Sequence, residues 1–579
     1  MKSVRRLAAP LLIAVVTAAV FLPSLWFGFL PFDDYQNLNT NPRFHGGGSS
    51  DVSWILTTRV VGHWIPVTWL SFAVDYAFWG REPRGYHATN VALHVLNALL
   101  WYVVARRLLG LAAPGARPAA VQAGALAAAL AFAVHPLRVE SVAWVTERRD
   151  VLSGAFFLLA VLAYLRAVAR DVRPDRRWLG LSLLAFTAAL LSKEITMTLP
   201  LVLVLLDIYP LRRLRWPETL VEKIPFVLVG AAGAAVSAIS VATDIGFTGL
   251  GRLGVPARLA LVAYSAVFYP LQTFLPFGVA PLHEFPLHVD PLAPRFLASL
   301  AGAAGVTVVA IAARRALPWF AAAWAYSVLT ILPVSGLAHV STILAADRYS
   351  YLTTLSWALV LGGGVAALLG ATSRRAFVAA GLAGVLLLLG VWGYLTRAQV
   401  YVWRDAESLW TAAVAADPDC AQCHAGLGIA LLAAGRLEDA ERESTVAVLL
   451  RPDRADHHAV LASVLEGRER LDEAARSWAT AGRLHPRYAV EARRALGIAL
   501  AGRGRFEDAA RELRAARALT AMLPVTPHLV RALNGLAIER ARAGRLADAE
   551  TALEEALALR PDSVEVRENL AAVRGARRR

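Results

Sequence analysis

Apolar runs of helical length dominate the larger, N-terminal part of the chain. They recur from Leu7 to about Tyr394, and a run of this kind suits an α-helix that crosses the hydrocarbon core of a bilayer. Of the 579 residues 57% are hydrophobic and only 18% are charged, whereas a soluble domain is about a quarter charged. The sequence therefore excludes an ordinary soluble enzyme and predicts a polytopic membrane protein.

Basic clusters orient the predicted helices, because Lys and Arg near helix ends stay in the cytoplasm. The clusters are Arg5–Arg6, Arg106–Arg107, Arg166–Arg177, Arg212–Arg215, Arg314–Arg315 and Arg374–Arg375. Placing all of them on one side requires about eleven crossings. We predict these crossings at residues 7–27, 88–108, 119–136, 151–169, 178–192, 195–211, 224–243, 295–313, 317–335, 351–370 and 376–394.

One further apolar stretch, Tyr264–Phe277, does not fit this count. A crossing there would move Arg314–Arg315 to the outer side, so we predict a re-entrant or surface-lying segment. An odd number of crossings from an inner N-terminus places the C-terminal part outside. We therefore expect an inner-membrane protein whose C-terminal part lies in the periplasm, if the cell is bacterial.

The C-terminal part is repetitive. Pro418, Pro452 and Pro486 are 34 residues apart, which is the period of the tetratricopeptide repeat. Four repeats are predicted near 421–454, 455–488, 490–523 and 530–563, with a capping helix at 563–574. The predicted fold is all-α, with a membrane domain at 1–403 and a repeat solenoid at 404–579.

Two adjacent carboxylates, Asp33 and Asp34, follow the first predicted crossing directly. They are either the solvated end of a loop or a general base at the membrane surface, because a carboxylate can take a proton from an acceptor hydroxyl. The sequence shows no His and carboxylate spacing typical of a metal site. We therefore expect neither a metal nor another cofactor.

Charged residues crowd the next outer loop, His135–Asp150, where positive charge is disfavoured. The candidates are Arg138, Glu140, Arg148, Arg149 and Asp150, and later outer loops add Lys193 and Arg348. Guanidinium groups bind phosphate through two parallel hydrogen bonds, so these residues suggest a lipid phosphate. Structural ion pairs are the alternative. The formal charge of +15 is assigned to topology and phosphate binding rather than to nucleic acid.

Several stretches together resemble the TMTC family of membrane and tetratricopeptide-repeat proteins. They are Phe32–Tyr35, His63–Ser71, Gly85–Asn90 with His94, His135–Asp150, Ser192-Lys193 and Asp347–Tyr351, followed by the repeats. The resemblance, closest to bacterial members, implies the GT-C glycosyltransferase fold. It also matches Asp33-Asp34 and Arg149-Asp150 to family motifs, and it makes His63, His87, His135 and Glu194 candidate accessory residues.

Animal members of that family are O-mannosyltransferases that use dolichyl-phosphate mannose. The resemblance therefore implies transfer of a mannose-like sugar from a polyprenyl phosphate to a protein Ser or Thr outside the cytoplasm. The repeats would bind the protein acceptor or a partner. The alternative is a non-catalytic scaffold whose repeats recruit periplasmic partners, and transport of a lipid-linked glycan is disfavoured because few polar residues lie within the predicted helices.

The chain has two cysteines, Cys420 and Cys423, which with His424 spell a haem-attachment signature. The motif falls on the first helix of a predicted repeat, where a haem would displace the solenoid packing. We therefore favour an ordinary repeat position, and a disulfide between the two cysteines remains open.

Overall fold

A computed structural model describes residues 2–41, 43, 49–59, 62–169, 174–244, 253–286, 289–337, 343–371, 375–520 and 525–579. Parts of the predicted basic clusters, 170–173 and 374, lie outside the described residues. The chain divides into two compact units, Met1–Ala412 and Ala413–Arg579.

Helices make up nearly all of the regular structure in the first unit, and the last of them continues four residues into the second unit. They are α1 (Lys2–Phe21), α2 (Ser49–Thr57), α3 (Pro66–Trp79), α4 (Pro83–Ala112), α5 (Pro118–Ala133), α6 (Val139–Ala143), α7 (Arg148–Ala167), α8 (Arg176–Leu190), α9 (Leu199–Ile208), α10 (Glu218–Val221), α11 (Ile224–Asp244), α12 (Val255–Phe274), α13 (Pro294–Ala312), α14 (Pro318–Ile331), α15 (Ser350–Thr353), α16 (Leu355–Ala371), α17 (Arg375–Val402) and α18 (Ala406–Ala416). Two short antiparallel strands, β1 (His283–Glu284) and β2 (Ile343–Ala345), form the one sheet found among the described residues.

Proline marks where many of these helices begin. Pro66, Pro83, Pro118, Pro294 and Pro318 each occupy the first turn of a helix. At this position proline costs no hydrogen bond, because the first N–H groups of a helix have no partner within it, and its fixed φ suits the helix. These starts follow directly from the local sequence.

Six helices are long and apolar enough to cross a membrane, or up to eight if each of two bent helix pairs counts as one span. All eleven predicted crossings overlap one or more of the helices α1, α4, α5, α7, α8, α9, α11, α13, α14, α15, α16 and α17. However, α8, α9 and α14 are shorter than a full span, and α5 and α16 reach that length only as parts of the two bent pairs. The predicted helical, multi-pass architecture is confirmed.

The stretch Tyr264–Phe277 lies largely in α12, a regular helix of 20 residues. Near its start, Arg258 donates to the carbonyl oxygens of Gly336 and Leu337. Near its end, the Thr273 carbonyl accepts from His135 at 2.8 Å. These partners belong to loops that the sequence predicts to lie on the outer side. The re-entrant or surface-lying character of Tyr264–Phe277 stays a prediction.

Glycine allows α5 and α16 to touch along their backbones. A Cβ atom at Gly124 would overlap the carbonyl oxygen of Gly362, and one at Gly362 would overlap that of Gly124. Because α5 is followed directly by the turn Pro136–Arg138 and α16 is preceded by Ser350–Thr353, this contact brings together two loops that the sequence predicts to be outer loops. The candidate site is built from these loops.

The second unit is a series of helix pairs. They are α19 (Ala421–Ala433) with α20 (Leu437–Leu450), α21 (Ala455–Gly467) with α22 (Leu471–Leu484), α23 (Ala489–Gly502) with α24 (Phe506–Leu519), and α25 (Thr526–Arg542) with α26 (Leu546–Leu559), followed by α27 (Val564–Arg577). Positive φ angles of 75°, 75° and 78° occur at the turn residues Gly435, Gly504 and Gly544, where glycine avoids a steric cost. Glu469 takes the same turn position in the second pair with a φ of 59°.

A disulfide joins Cys420 and Cys423 at the start of α19. His424 contacts Glu443 at 2.7 Å and the Pro418 carbonyl at 3.0 Å. Both sulfur atoms and both ring nitrogens therefore have partners within the repeat. This arrangement leaves no thiol for covalent attachment of a haem.

Candidate active site

The two adjacent carboxylates of the first outer loop have different environments. Asp34 is 1% exposed. One of its oxygens accepts from the backbone N–H and the hydroxyl of Thr146, at 2.9 and 2.6 Å, and the other accepts from the Leu30 N–H at 3.1 Å. Burial raises the pKa of Asp34 to about 6, although these hydrogen bonds oppose the shift. One oxygen thus fastens the first outer loop to the second, and the other is used within the first loop.

Asp33 is only half-buried, and within the described ranges no hydrogen-bond donor reaches its carboxylate. Burial raises its pKa above the ordinary value, opposed first by the positive charge of Arg149. Its neighbour Phe32 stacks on Trp144 with ring centroids 5.2 Å apart, which holds the backbone before Asp33. A carboxylate with a raised pKa and no partner can accept a proton from a bound hydroxyl group.

Glu147 is the centre of an ion-pair network beside Asp33. It pairs with Arg149, with Lys193 at 3.0 Å and with Arg348 at 3.3 Å. It lies in the turn Val145–Glu147 that precedes α7, and its side chain is fully buried. One carboxylate therefore holds three cations from α7, from the segment after α8 and from the segment before α15.

Two further carboxylates, Glu140 and Asp150, hold two of these cations, Arg348 and Lys193. Glu140 pairs with the Arg348 guanidinium and accepts from the Arg348 backbone N–H at 2.7 Å. Asp150 accepts from Lys193 at 2.6 Å and from the Ser141 hydroxyl at 3.0 Å. The structure thus brings together five of the predicted site residues, which are Glu140, Arg149, Asp150, Lys193 and Arg348.

Two of the three cations, Arg149 and Arg348, keep unused donors. The side chains of Arg149, Lys193 and Arg348 are 12%, 8% and 9% exposed. In the described part of the chain no residue accepts a hydrogen bond from Nη1 of Arg149 or Nη2 of Arg348. Charged donors that are held rigidly and still unpaired suit an anionic group entering from outside the protein.

Arg148 has contacts that differ completely from those of its neighbour Arg149. It pairs with Asp75 at 2.5 Å and donates to Asn90 and to the Tyr86 carbonyl, both at 2.8 Å. It is fully buried with its guanidinium 4.6 Å from the centre of the Phe72 ring. These contacts direct Arg148 to partners within the protein, so they do not support its assignment to donor binding. Adjacent residues on a helix point in different directions, which is why Arg148 and Arg149 have different partners.

Arg138 is also separate from the Glu147 network. It is 1% exposed and donates to the hydroxyls of Ser350 and Thr354, at 2.7 and 3.0 Å. Its guanidinium lies 5.4 Å from the centres of the Phe132 and Tyr351 rings. The sequence suggests that Arg138 and Arg149 bind the same phosphate. Among the described residues, the side-chain hydrogen bonds of the two arginines go to different partners.

The four candidate accessory residues fall into two groups. His63 and Glu194 face each other at 3.4 Å, and the His63 side chain is 39% exposed. His87 and His135 are buried, and they contact the carbonyl oxygens of Gly28 and Thr273. His63 is thus accessible enough to touch a ligand and Glu194 lies beside it, whereas His87 and His135 hold backbone segments.

Two carboxylates that pair with predicted site residues were not among the sequence candidates. Glu147 lies inside the charged run His135–Asp150, so the sequence could have marked it as a candidate. Nothing in the sequence indicates that it is the centre of the ion-pair network. Asp75 stands alone among apolar residues of α3, and a lone carboxylate in such a helix predicts a buried cationic partner. No group of three or more His, Cys, Asp and Glu side chains suited to a metal ion occurs in the described ranges.

The comparisons with known proteins find similarity to tetratricopeptide-repeat proteins and to protein O-mannosyl-transferases. The Tetratricopeptide repeat family matches residues 403–464. Protein O-mannosyl-transferase Tmtc1 of Drosophila melanogaster is 39% identical over 149 residues, which are 25% of this chain and 16% of that protein. Protein O-mannosyl-transferase Tmtc2 of the same organism is 34% identical over 201 residues, which are 33% of this chain and 20% of that protein.

Among solved structures, ArnT from Cupriavidus metallidurans bound to undecaprenyl phosphate is 16% identical, with 81% of this chain and 79% of that chain covered and a TM-score of 0.35. That score is too low to establish a common fold. The chain spans a fifth or less of the length of the curated relatives it matches. In sequence the chain is TMTC-like: it is similar to the protein O-mannosyl-transferases of that family and carries tetratricopeptide repeats.

Proposed function

We propose that the protein is a membrane glycosyltransferase that moves a mannose-like sugar from a polyprenyl phosphate to a hydroxyl group outside the cytoplasm. One observation carries the proposal. Asp33 lacks a hydrogen-bond partner among the described residues, and it lies within electrostatic range of Arg149 and Arg348, whose guanidinium groups keep unused donors. A base next to a phosphate-binding group is the arrangement that sugar transfer from a lipid phosphate requires.

Asp33 acts as the general base in the proposed reaction. Its carboxylate takes the proton of the acceptor hydroxyl, and the acceptor oxygen attacks the anomeric carbon of the sugar. The bond between this carbon and the donor's phosphate oxygen breaks, and its electron pair stays on the phosphate. A single displacement of this kind inverts the configuration at the anomeric carbon.

Arg149, Lys193 and Arg348 stabilise the leaving phosphate, whose negative charge grows in the transition state. Glu147, Glu140 and Asp150 position these cations before the donor arrives, since each of the three carboxylates pairs with at least one of them. Donors held in advance need no reorganisation during the reaction, which makes them more effective than mobile side chains. His63 acts electrostatically on Asp33, and Arg149 acts on Glu194, so we place this pair beside the bound sugar or acceptor.

The location and the acceptor belong to the same proposal. The active site lies at the outer surface of the inner membrane, and the repeats lie in the periplasm and bind the protein whose Ser or Thr is modified. The names of the TMTC relatives support mannose and a protein acceptor. The apolar helices support a donor that is itself a lipid.

Purified protein incubated with several polyprenyl-phosphate sugars and a Ser/Thr peptide mixture tests the proposal. Mass spectrometry should detect a hexose on the peptides, and the product should be absent with Asp33→Asn. The variant Asp405→Asn is a matched control, because Asp405 is exposed and its ion pair with Arg404 lies outside the site. If no donor gives a product while the repeats still capture a periplasmic protein, the scaffold function replaces this one.

A further inference from the structure

A buried tryptophan of α18 contacts the residue directly before Asp33. Trp410 is 5% exposed, and its ring meets the ring of Phe32 edge to face, with centroids 5.5 Å apart and ring planes at 87°. Phe32 lies in the first outer loop, whereas Trp410 comes from the helix at the C-terminal end of the first unit. One side chain therefore links α18 to the backbone that carries the candidate base.

Asp33 depends on its two chain neighbours for its position. In the ranges that the structure describes, its carboxylate accepts no hydrogen bond that would fix it directly. Asp34 holds the chain after it, through hydrogen bonds from two separate segments. Phe32 holds the chain before it, and its ring contacts both Trp144 and Trp410. The placement of the base therefore follows from contacts made one residue away on either side.

A second tryptophan makes a related contact from the same part of the chain. Trp403, which lies between α17 and α18, stacks with Trp144 at a centroid distance of 5.7 Å and an angle of 27°. Both rings are 2% exposed. Buried aromatic pairs prefer defined relative geometries, so a chain of such pairs transmits the position of one ring to the next. Trp403 and Trp410 together hold the two aromatic rings, Trp144 and Phe32, that precede the charged residues of the site.

The helix that carries Trp410 belongs to both parts of the chain. Its residues up to Ala412 lie in the first unit, and its last four residues lie in the second. The match to the Tetratricopeptide repeat family begins at residue 403 and includes the whole of α18. Leu409 and Trp410 are buried, whereas Thr411 is exposed. The helix that leads into the repeats thus also supplies a contact to the loop of Asp33.

We propose that Trp410 is a positioning residue for sugar transfer, which holds Asp33 where the acceptor hydroxyl binds by packing on Phe32. The inference rests on the proposed function, in which Asp33 takes the proton of that hydroxyl. The three cations of the Glu147 network are held by carboxylates instead. Loss of the Trp410 ring should therefore slow transfer at saturating donor and leave the binding of the donor phosphate intact.

Transfer kinetics and polyprenyl-phosphate binding, measured on purified full-length variants, test this inference. Trp410→Leu keeps a large apolar side chain but removes the aromatic ring. Because a misplacement of about 1 Å can cost about 10²-fold in rate, Trp410→Leu should lower kcat by about tenfold or more. Trp410→Phe keeps an aromatic edge and should retain most of the rate, and both variants should bind polyprenyl phosphate as the wild type does. Thr411→Ala, on the exposed side of the same helix, is the matched control.

Hydrogen exchange adds a readout that does not require sugar transfer. The backbone amides of residues 32–35 should exchange faster in Trp410→Leu than in Trp410→Phe or Thr411→Ala, because the loop loses a buried contact. If the wild type transfers no sugar with any donor, the proposed function fails, and faster exchange in Trp410→Leu still supports the placement of Asp33 by Trp410.

Three results would overturn the inference. The first is a full kcat in Trp410→Leu when the wild type is active. The second is unchanged exchange of residues 32–35 in that variant. The third is a loss of polyprenyl-phosphate binding together with the loss of rate, because it would mark Trp410 as a residue of general stability rather than one that positions Asp33.

Discussion

Asp34 accepts two hydrogen bonds from Thr146, one from its backbone N–H at 2.9 Å and one from its hydroxyl at 2.6 Å. This contact joins residues that are 112 positions apart in the chain. It fixes the first outer loop, and with it Asp33, against the turn that carries Glu147. Asp34 is thus a positioning residue, and its neighbour is left for chemistry.

Asp34→Asn should lower the stability of the membrane unit. The amide has one acceptor oxygen instead of two, so either Thr146 or Leu30 loses its buried partner, which costs about 1–3 kcal/mol. Thr146→Val removes one of the same hydrogen bonds and should have a smaller effect in the same direction. Thermal unfolding in detergent measures both, and an unchanged midpoint for Asp34→Asn would show that the loops are held by other contacts.

The buried pair of Arg148 and Asp75 should contribute strongly to stability. Asp75→Asn leaves a buried guanidinium without its counter-charge, which costs about 3–5 kcal/mol. Arg404 and Asp405 form the matched exposed pair, with side chains 58% and 53% exposed, and Asp405→Asn should cost about 0–1 kcal/mol. Equal effects of the two substitutions on chemical unfolding would contradict the structural role of Arg148.

The disulfide offers a test of topology. Cys420 and Cys423 are the only cysteines, and they are joined to each other. Disulfides persist in oxidising compartments and are rare in the cytosol. In denatured protein from cells quenched with acid, a thiol reagent should label the cysteines only after reduction. Labelling without reduction would place the repeats in the cytoplasm and contradict an odd number of crossings.

The pH dependence of transfer should reflect Asp33. This residue accepts a proton only when ionised, so the rate should fall as the pH is lowered through its pKa. Because burial raises that pKa, the fall should begin at a higher pH than for an exposed aspartate. Initial rates at saturating donor measure it, and an acid limb at or below the ordinary value would argue against Asp33 as the base.

Protonation of Asp34 at low pH does not unfold the protein, so it cannot produce the loss of activity that is expected from Asp33. Its pKa in the folded protein is raised from 3.8 to about 6. The folded state therefore binds this proton more tightly than the unfolded state, and the contribution of Asp34 to stability is greatest below the unfolded pKa. It declines as the pH rises through about 6, which is opposite to the loss of activity expected from Asp33. Unfolding midpoints over the same pH range separate the two effects.

The helices and repeats were predictable because their signals are local. A proline at Pro83 or Pro118 starts a helix through its own φ angle, and the proline spacing of the repeats counts residues along the chain. The division of roles within the site was not predictable in this way. Arg148 and Arg149 are adjacent, but the partner of Arg148 comes from α3 and the partners of Arg149 lie in the Glu147 network.

The same limit applies to Asp33 and Asp34. The two carboxylates are chemically identical, and only the position of Thr146, set by the packing of the second outer loop, decides which one is fully bonded. Arg138 shows a related effect, because the approach of α5 to α16 gives it hydroxyl partners from the segment before α16. Pairing between distant loops is a property of tertiary packing that no local pattern contains.

Transfer and donor binding measured side by side for Asp33→Asn test the central claim most directly. The substitution keeps size and polarity but removes the basic carboxylate, so turnover should fall by about 10²-fold or more while a donor analogue still binds. Arg149→Ala or Lys193→Ala should instead weaken donor binding, since each removes a charge-assisted contact worth roughly 1.5–3 kcal/mol. An Asp33→Asn variant that folds, binds donor and transfers sugar at the full rate would contradict the account.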